Sequence, residues 1–202
     1  MDYQFLVDTY ELERLKTLNV WSMFDDNDML VRPRPLSQRD RNPLEHMIHQ
    51  CLSEAKWFRL MFHIDLGTSP LPATETRLAF IKHYAADSGA RLAILQEKEN
   101  PWWAAEVAFF DVIRSRAWIM LRRIAHTAHH RGEQATLLRM LRKEIHSIYG
   151  PTVDTGGLPD NGAVTIYAYS DIESLIEGES HGGSKADLPG PGSAPSTERP
   201  DA

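Results

Sequence analysis

The sequence is poor in several features that would each indicate a particular class of protein. It has one cysteine, Cys51, so it cannot form an internal disulfide and fits a reducing compartment. No apolar run approaches the roughly 18 residues that a membrane-spanning helix requires. Basic residues are not in excess, because 22 Lys and Arg stand against 28 Asp and Glu, a formal net charge of −6. We therefore expect neither a disulfide-rich secreted domain, nor a membrane protein, nor a nucleic-acid-binding protein.

Motifs of several common enzyme classes are also missing. The chain has no G-x-G-x-x-G after a strand pattern, no Walker-type phosphate-binding loop and no G-x-S-x-G. Its amino-terminal MDYQFLVDTYELERLK has early acidic residues and no apolar h-region, so it does not predict a signal peptide. We expect a cytoplasmic protein, and 202 residues with 42% apolar content suffice for one domain with a sizeable core.

Apolar residues at helical spacing occur in four segments, separated by breaks that proline or glycine marks. The segments cover about residues 3–24, 44–64, 74–97 and 115–145. Asn42 and Pro43 predict the start of the second helix, and Ser115 predicts the cap of the last. A short turn with two tryptophans and an extended segment at 107–112 precede the last helix. The pattern predicts an all-α four-helix bundle.

The carboxyl-terminal part of the chain has a different composition. Residues 150–177 are rich in turn formers, with an extended apolar stretch at 164–169 and one helical turn at 171–176, and they predict an arm packed on the bundle of residues 1–149. From Gly178 onward the chain lacks large apolar residues apart from Leu188. This composition predicts a disordered tail over residues 178–202.

The stretch A-H-T-A-H-H-R-G-E at 125–133 carries the candidate chemistry. In a helix, His126 and His130 stack on one face because they are four residues apart, so their nitrogens can converge. Neutral imidazole is a preferred ligand for zinc, nickel, copper and iron, so the pair is half of a metal site. The alternative is two core histidines whose nitrogens bond to carboxylates or carbonyls. The stretch lacks the Glu of H-E-x-x-H, which argues against a zincin-type protease.

A catalytic metal site usually takes three protein ligands and keeps one position open. The second predicted helix offers His46 and His49 as the third ligand. Neither lies squarely in the apolar stripe of that helix, and the helical wheel prefers His49 only slightly. The residues alone therefore do not decide whether His46 or His49 is the third ligand. Cys51 lies within the stripe, and we interpret it as a small buried hydrophobe rather than a catalytic thiol.

The motif H-x-x-x-H-R-G in a long late helix, with a histidine in an earlier helix, resembles the DinB/YfiT-like metalloprotein superfamily. The resemblance covers about residues 3–149, and N-P-L-E-H-M-I-H-Q is similar to the family's second-helix segment, with His49 at the ligand position. It implies an up-down-down-up bundle, a metal held by His49, His126 and His130, and a homodimer. For such a ligand set we expect zinc or nickel, with iron or manganese as alternatives.

The sequence departs from the family at one position beside this motif. The family often shows H-H-R-G-Q, whereas this chain has Glu133 in place of that Gln and Gln134 one step later. Glu133 could orient His130, bind the metal or act as a general base; the alternative is a solvated carboxylate that pairs with an arginine. Of its neighbours, Arg131 is interpreted as a structural ion-pair partner, and Gly132 predicts a close helix crossing.

Two functions are compatible with the resemblance. Family members of established activity include thiol-dependent S-transferases and a maleylpyruvate isomerase, which use a low-molecular-weight thiol and a divalent metal. We expect an enzyme that transfers such a thiol to a small electrophile; the alternative is a non-catalytic metal- or ligand-binding protein of the stress response. The ordinary imidazole pKa near 6.5 further predicts that metal affinity falls as the pH drops through that value.

Overall fold

Four long helices dominate the computed structural model, which describes residues 2–35, 39–195 and 197. Within these residues the helices and strands are α1 Gln4–Ser22, α2 Pro43–Trp57, α3 Arg77–Gln96, α4 Asn100–Ala104, β1 Glu106–Phe109, β2 Val112–Ser115, α5 Arg116–Met140 and α6 Ile172–Ser180. The two strands form an antiparallel hairpin between α4 and α5. The predicted all-α bundle is confirmed. Among the described residues, no helix has the length and apolar character needed to cross a membrane.

Contacts at one end of the bundle define the directions of the four long helices. The backbone N–H of Tyr3, just before α1, donates to Asn100 Oδ1 at 3.2 Å, so α1 begins where α3 ends. The π-helical turn Phe58–Phe62 extends α2, and its Phe62 stacks on Trp102 at 6.0 Å between ring centroids. Helix α5 begins at this end too, directly after the hairpin. Helices α1 and α5 therefore run one way and α2 and α3 the other, which confirms the up-down-down-up arrangement.

Local hydrogen bonds start α2 and α5 where the sequence predicts. The Asn42 side chain accepts from the Glu45 N–H at 2.8 Å, and the Glu45 carboxylate accepts from the Asn42 N–H at 3.0 Å. This capping box, with Pro43 in the first turn, satisfies free N–H groups at the helix start. Ser115 caps α5 by accepting from the Trp118 N–H at 3.2 Å. The two helices that carry the candidate ligands thus begin at positions that the sequence determines locally.

Helix α5 is shorter than its sequence pattern predicts. It ends at Met140 rather than near residue 145, because Arg142 adopts a left-handed conformation with φ of 60°. The Lys143 N–H then donates back to the Leu138 carbonyl at 3.0 Å, a contact that closes the last turn. A non-glycine residue rarely takes this conformation, so the apolar periodicity gave no sign of it.

All four long helices meet at the buried carboxylate of Glu54 on α2, which is 1% exposed. The hydroxyls of Tyr10 on α1 and Tyr84 on α3 donate to it at 2.7 and 3.0 Å. Arg123 of α5 lies 3.1 Å away and Arg91 of α3 3.6 Å away. Burial alone would raise the pKa of Glu54, but the charges of Arg123 and Arg91 and the two hydroxyls hold it below its ordinary value.

The segment that follows α5 packs along the bundle as an irregular arm. The Asn19 side chain makes two hydrogen bonds to the backbone of Tyr169. It accepts from the Tyr169 N–H at 2.8 Å and donates to the Tyr169 carbonyl at 3.2 Å. The Ser147 N–H donates to the Ile166 carbonyl at 2.7 Å. Leu175 of α6 is fully buried. Residues 164–169, predicted as an extended stretch, form no strand in the part of the chain that the structure describes.

The boundary predicted at residue 178 for a disordered tail falls inside α6. Glu179 is 5% exposed, and its carboxylate accepts from the Tyr169 hydroxyl at 2.7 Å and pairs with Lys185 at 2.9 Å and with Arg77. Gly178 is required here, because a Cβ at that position would meet the Tyr169 ring at 2.5 Å. Composition predicted a disordered tail because this segment lacks large apolar residues. The contacts that hold it in place are polar and do not need such residues. Residues 196 and 198–202 lie outside the described residues.

Ending the chain after residue 177 is therefore expected to lower the free energy of unfolding by about 2 kcal/mol, because the buried Tyr169 hydroxyl and Arg77 lose a partner. Urea denaturation of the shortened chain measures this. A chain that ends after residue 191 keeps Glu179 and Lys185, so it serves as the control and should match the full-length protein. Equal stability of all three chains would contradict the packing of this segment.

Candidate metal centre

Helices α2 and α5 bring three histidines together. His49 from α2 and His126 and His130 from α5 each offer one ring nitrogen, and these three atoms lie within 4.8 Å of one another. The Nε2 atoms of His126 and His130 are 3.2 Å apart. Two imidazoles bound tetrahedrally to one metal at about 2.0–2.1 Å would hold their nitrogens about 3.4 Å apart. The two α5 nitrogens thus have the separation of ligands to one divalent metal ion.

Glu133 contacts the opposite side of the His130 ring. Its Oε2 lies 2.7 Å from His130 Nδ1, so the ring donates through Nδ1 and keeps the Nε2 lone pair free toward His126 and His49. Glu133, His130 and His46 also form a second group of ligand atoms within 4.8 Å, with His46 Nδ1 3.9 Å from Glu133 Oε2. The wheel placed His46 outside the core, which is wrong, since it is only 5% exposed.

The hydrogen bonds of His126 define which of its two ring nitrogens donates and which accepts. Arg123 Nη1 lies 3.2 Å from His126 Nδ1, and since a guanidinium only donates, Nδ1 accepts. The neutral ring then carries its proton on Nε2 and donates to His130. A metal at Nε2 would require the proton on Nδ1, so Arg123 would release this contact. It keeps Ser53 at 3.0 Å and Glu54 at 3.1 Å as partners.

An aromatic wall closes one side of the centre. The Trp57 ring, at the end of α2, stacks on His126 with 5.7 Å between centroids and 24° between planes. Phe109 and Phe110 of the hairpin contact Trp57 edge-on at 5.3 and 6.1 Å. The extended segment predicted before α5 is therefore this hairpin, and it buttresses the histidine cluster. Cys51 is buried, and burial raises the pKa of its thiol, as expected of a core residue.

The imidazoles of the cluster are held neutral. Burial lowers the pKa of His49 to about 4, with Arg41 as the next cause. Burial, followed by the charge of Arg123, lowers the pKa of His126 to about 3, and burial also lowers that of His130. Protons therefore compete with a metal at lower pH than the ordinary imidazole value suggests. The predicted loss of metal affinity therefore moves from about pH 6.5 to lower pH.

These pKa shifts predict how the stability of the metal-free protein depends on pH. In the unfolded chain the histidines titrate near 6.5, whereas in the folded chain His46 and His49 titrate near 4. Between those values the unfolded state binds more protons, so the free energy of unfolding falls as the pH is lowered. Chemical denaturation at pH 7, 6 and 5 measures this. The pKa values of buried Glu54 and Glu179 lie below their ordinary values, so a flat profile over this range would contradict the histidine shifts.

Three residues close to the α5 ligands in sequence, His129, Arg131 and Gly132, lie outside the three-histidine group. His129 has a 62% exposed side chain and points to Glu133 at 3.4 Å, outside the three-histidine group. Arg131 pairs with buried Glu13 of α1, which confirms its structural interpretation. The close helix crossing predicted at Gly132 is wrong, because no described atom outside its chain neighbours and its own helix backbone lies within 4 Å of a Cβ placed there.

Sequence reasoning did not find the residues that support the ligands from other positions. Arg123 lies three residues before His126, a spacing that brings side chains together on a helix and could have indicated the contact. The contributions of Glu54 and Trp57 depend on how α2 packs against α5, which local spacing does not show.

The structure thus defines an all-α four-helix bundle with a three-histidine candidate metal centre between its second and last long helices. Its fold is similar to that of a solved DinB-like protein from Bacillus cereus, with a TM-score of 0.62 over 71% of this chain and 95% of that chain, at 16% sequence identity. The chain therefore has the DinB-like fold. No protein-family model matches the sequence, and a search of curated proteins returns no match.

Proposed function

We propose that this chain binds one divalent metal ion through His49, His126 and His130 and catalyses the transfer of a low-molecular-weight thiol to a small electrophile. The observation that carries the proposal is the convergence of three neutral imidazoles from two helices on one point beside an open cavity of about 530 Å³. The DinB-like fold supports it. Zinc and nickel suit three imidazole ligands, with iron and manganese as alternatives.

When bound, such an ion lowers the pKa of a coordinating thiol, so that the sulfur is held as thiolate at neutral pH. Residues of this chain orient the histidine ligands beside which the thiol sulfur would bind. Glu133 fixes the orientation of His130, and the Trp57 ring fixes that of His126. The thiol proton passes to solvent, which reaches the cavity. The sulfur then forms a bond to the electrophilic carbon as the carbon–halogen or epoxide carbon–oxygen bond breaks, and the leaving group takes the electron pair.

Two measurements test this function in sequence. Metal analysis of the purified protein should find a stoichiometric divalent ion. The metal-loaded protein should then accelerate the consumption of a simple thiol by 1-chloro-2,4-dinitrobenzene, and treatment with a chelator should abolish this activity. Stoichiometric metal without thiol consumption would favour the non-catalytic metal-binding alternative, and absence of metal would reject both.

Replacing Glu133 by Gln tests how this residue acts on the centre. The short contact to His130 Nδ1 indicates an orienting residue, so Glu133→Gln should retain metal with an affinity reduced roughly 10–100-fold. Competition with a chromogenic chelator measures the affinity. Glu106→Gln removes an exposed carboxylate on β1 and provides the control. Unchanged affinity together with lost turnover would instead identify Glu133 as a general base.

A further inference from the structure

The cavity beside the three histidines has an unusual charge character. The described residues that line it are all arginine or histidine: Arg41, His49, Arg122, His126, His129 and His130. Among the residues that the structure describes, no carboxylate lines this cavity, although the whole chain carries a formal net charge of −6. A positively charged concave site with low-dielectric walls concentrates anions from solution. The local charge is therefore opposite to that of the protein as a whole.

Arg41 and Arg122 supply the permanent charge of this cavity from two sides. Arg41 lies just before α2, Arg122 lies on α5 one turn before His126, and both are exposed. Arg41 also lines the two adjoining cavities, one beside His46 and Glu133 and the other beside His49. Arg41 thus lines all three of these cavities around the histidine cluster.

Nearby arginines have carboxylate partners, whereas Arg41 and Arg122 have none among the residues that the structure describes. Arg34 pairs with Asp40 at 2.8 Å, and Arg32 pairs with Glu45. Within residues 2–35, 39–195 and 197, no ion pair or hydrogen bond of the Arg41 or Arg122 side chain is found. Two cations that line one cavity, with neither an ion-pair partner nor a lining carboxylate among the described residues, are suited to a ligand that brings its own negative charge.

We propose that Arg41 and Arg122 form an anion-binding subsite that receives a carboxylate or phosphate group of the thiol substrate. This inference rests on the proposed function and specifies its substrate class: an anionic thiol, in preference to a neutral or cationic one. The planar guanidinium matches the paired oxygens of carboxylate and phosphate, and charge-assisted hydrogen bonds are about twice as strong as neutral ones. The subsite holds the charged end of the ligand while its sulfur reaches the three histidines.

Three thiols of similar length and different charge test the preference. The protein is loaded with Co²⁺, whose absorption reports thiolate ligation, and titrated with 3-mercaptopropionate, 2-mercaptoethanol and cysteamine at constant ionic strength. We expect 3-mercaptopropionate to bind at least about tenfold more tightly than 2-mercaptoethanol, and cysteamine to bind most weakly. The Arg41→Gln/Arg122→Gln variant should lose this order. Arg59→Gln removes an exposed charge that lines none of these cavities and should keep it.

A second titration separates this inference from the proposed function. Sulfate is added to the protein as purified, with chloride at equal ionic strength as the reference, and binding is followed by calorimetry. Binding that disappears in the double variant supports the subsite even if no thiol binds, in which case the thiol function alone fails. Equal affinities for the three thiols, or sulfate binding that the double variant retains, would overturn the subsite and leave the thiol function standing.

Discussion

His49→Ala, His126→Ala and His130→Ala are each expected to lose stoichiometric divalent metal. Each change removes one of three nitrogens that lie within 4.8 Å of one another, and the two imidazoles that remain hold a metal weakly. The fall in affinity should exceed the roughly 10–100-fold expected when only an outer partner of a ligand is lost. Mass spectrometry of protein purified from the same medium measures the metal content.

Two neighbouring histidines provide matched controls for this result. His129→Ala removes an exposed ring on the same helix, and His46→Ala removes a ring one turn from His49. Both variants should keep their metal. If His46→Ala lost the metal while His49→Ala kept it, the ion would belong to the second group, formed by His46, His130 and Glu133. Equal metal content in the wild type and the His126→Ala/His130→Ala variant would reject a histidine metal site altogether.

Glu54→Gln is expected to have the largest effect on stability. The change keeps the shape of the side chain but removes the charge that compensates Arg123, which is 1% exposed; Arg91, 4% exposed, keeps Asp87 at 3.2 Å. Breaking a buried ion pair by removing one partner costs about 3–5 kcal/mol, because the remaining charge is left without compensation in the core. Equilibrium urea denaturation at pH 7 measures the loss.

An exposed carboxylate serves as the control for Glu54. Asp26 pairs with Arg77 at 3.0 Å, but its side chain is 78% exposed. Asp26→Asn should therefore change the free energy of unfolding by less than about 1 kcal/mol. A cost for Glu54→Gln as small as that for Asp26→Asn would show that water or a rearranged core replaces the lost charge.

Helix positions were predictable because their signals are local. The Asn42 capping box and the Ser115 cap involve residues within three positions of one another, and each is visible in the sequence as a residue type at a fixed spacing. The end of α5 was not predictable, because it depends on the left-handed conformation of Arg142. No residue preference indicates that conformation for arginine. The tail boundary failed for a related reason, since Glu179 is buried through partners as distant as Arg77.

The candidate site likewise combines features that local spacing predicts with features that depend on the packing of helices. The spacing of His126, His130 and Glu133 on one helix already placed them side by side, and the structure has them in contact. The choice between His46 and His49 depended on which face of α2 meets α5, and the helical wheel separated the two only slightly. The resemblance to a known family favoured His49, and the structure places His49 with the two α5 imidazoles. It also places His46 within reach of Glu133, in the core rather than outside it.

The sequence of this protein specifies four helices, their starts and a histidine pair on the last one, because each depends on residues within about one or two helical turns. Packing between helices specifies the third imidazole, the Glu54 cluster and the arginine-lined cavity. Glu54 contacts Arg123 across 69 positions of sequence, and Arg41 and Arg122 line one cavity because α2 packs against α5. Such contacts depend on the directions in which the helices run and on where they cross. The local spacing of side chains in the sequence does not predict these two properties.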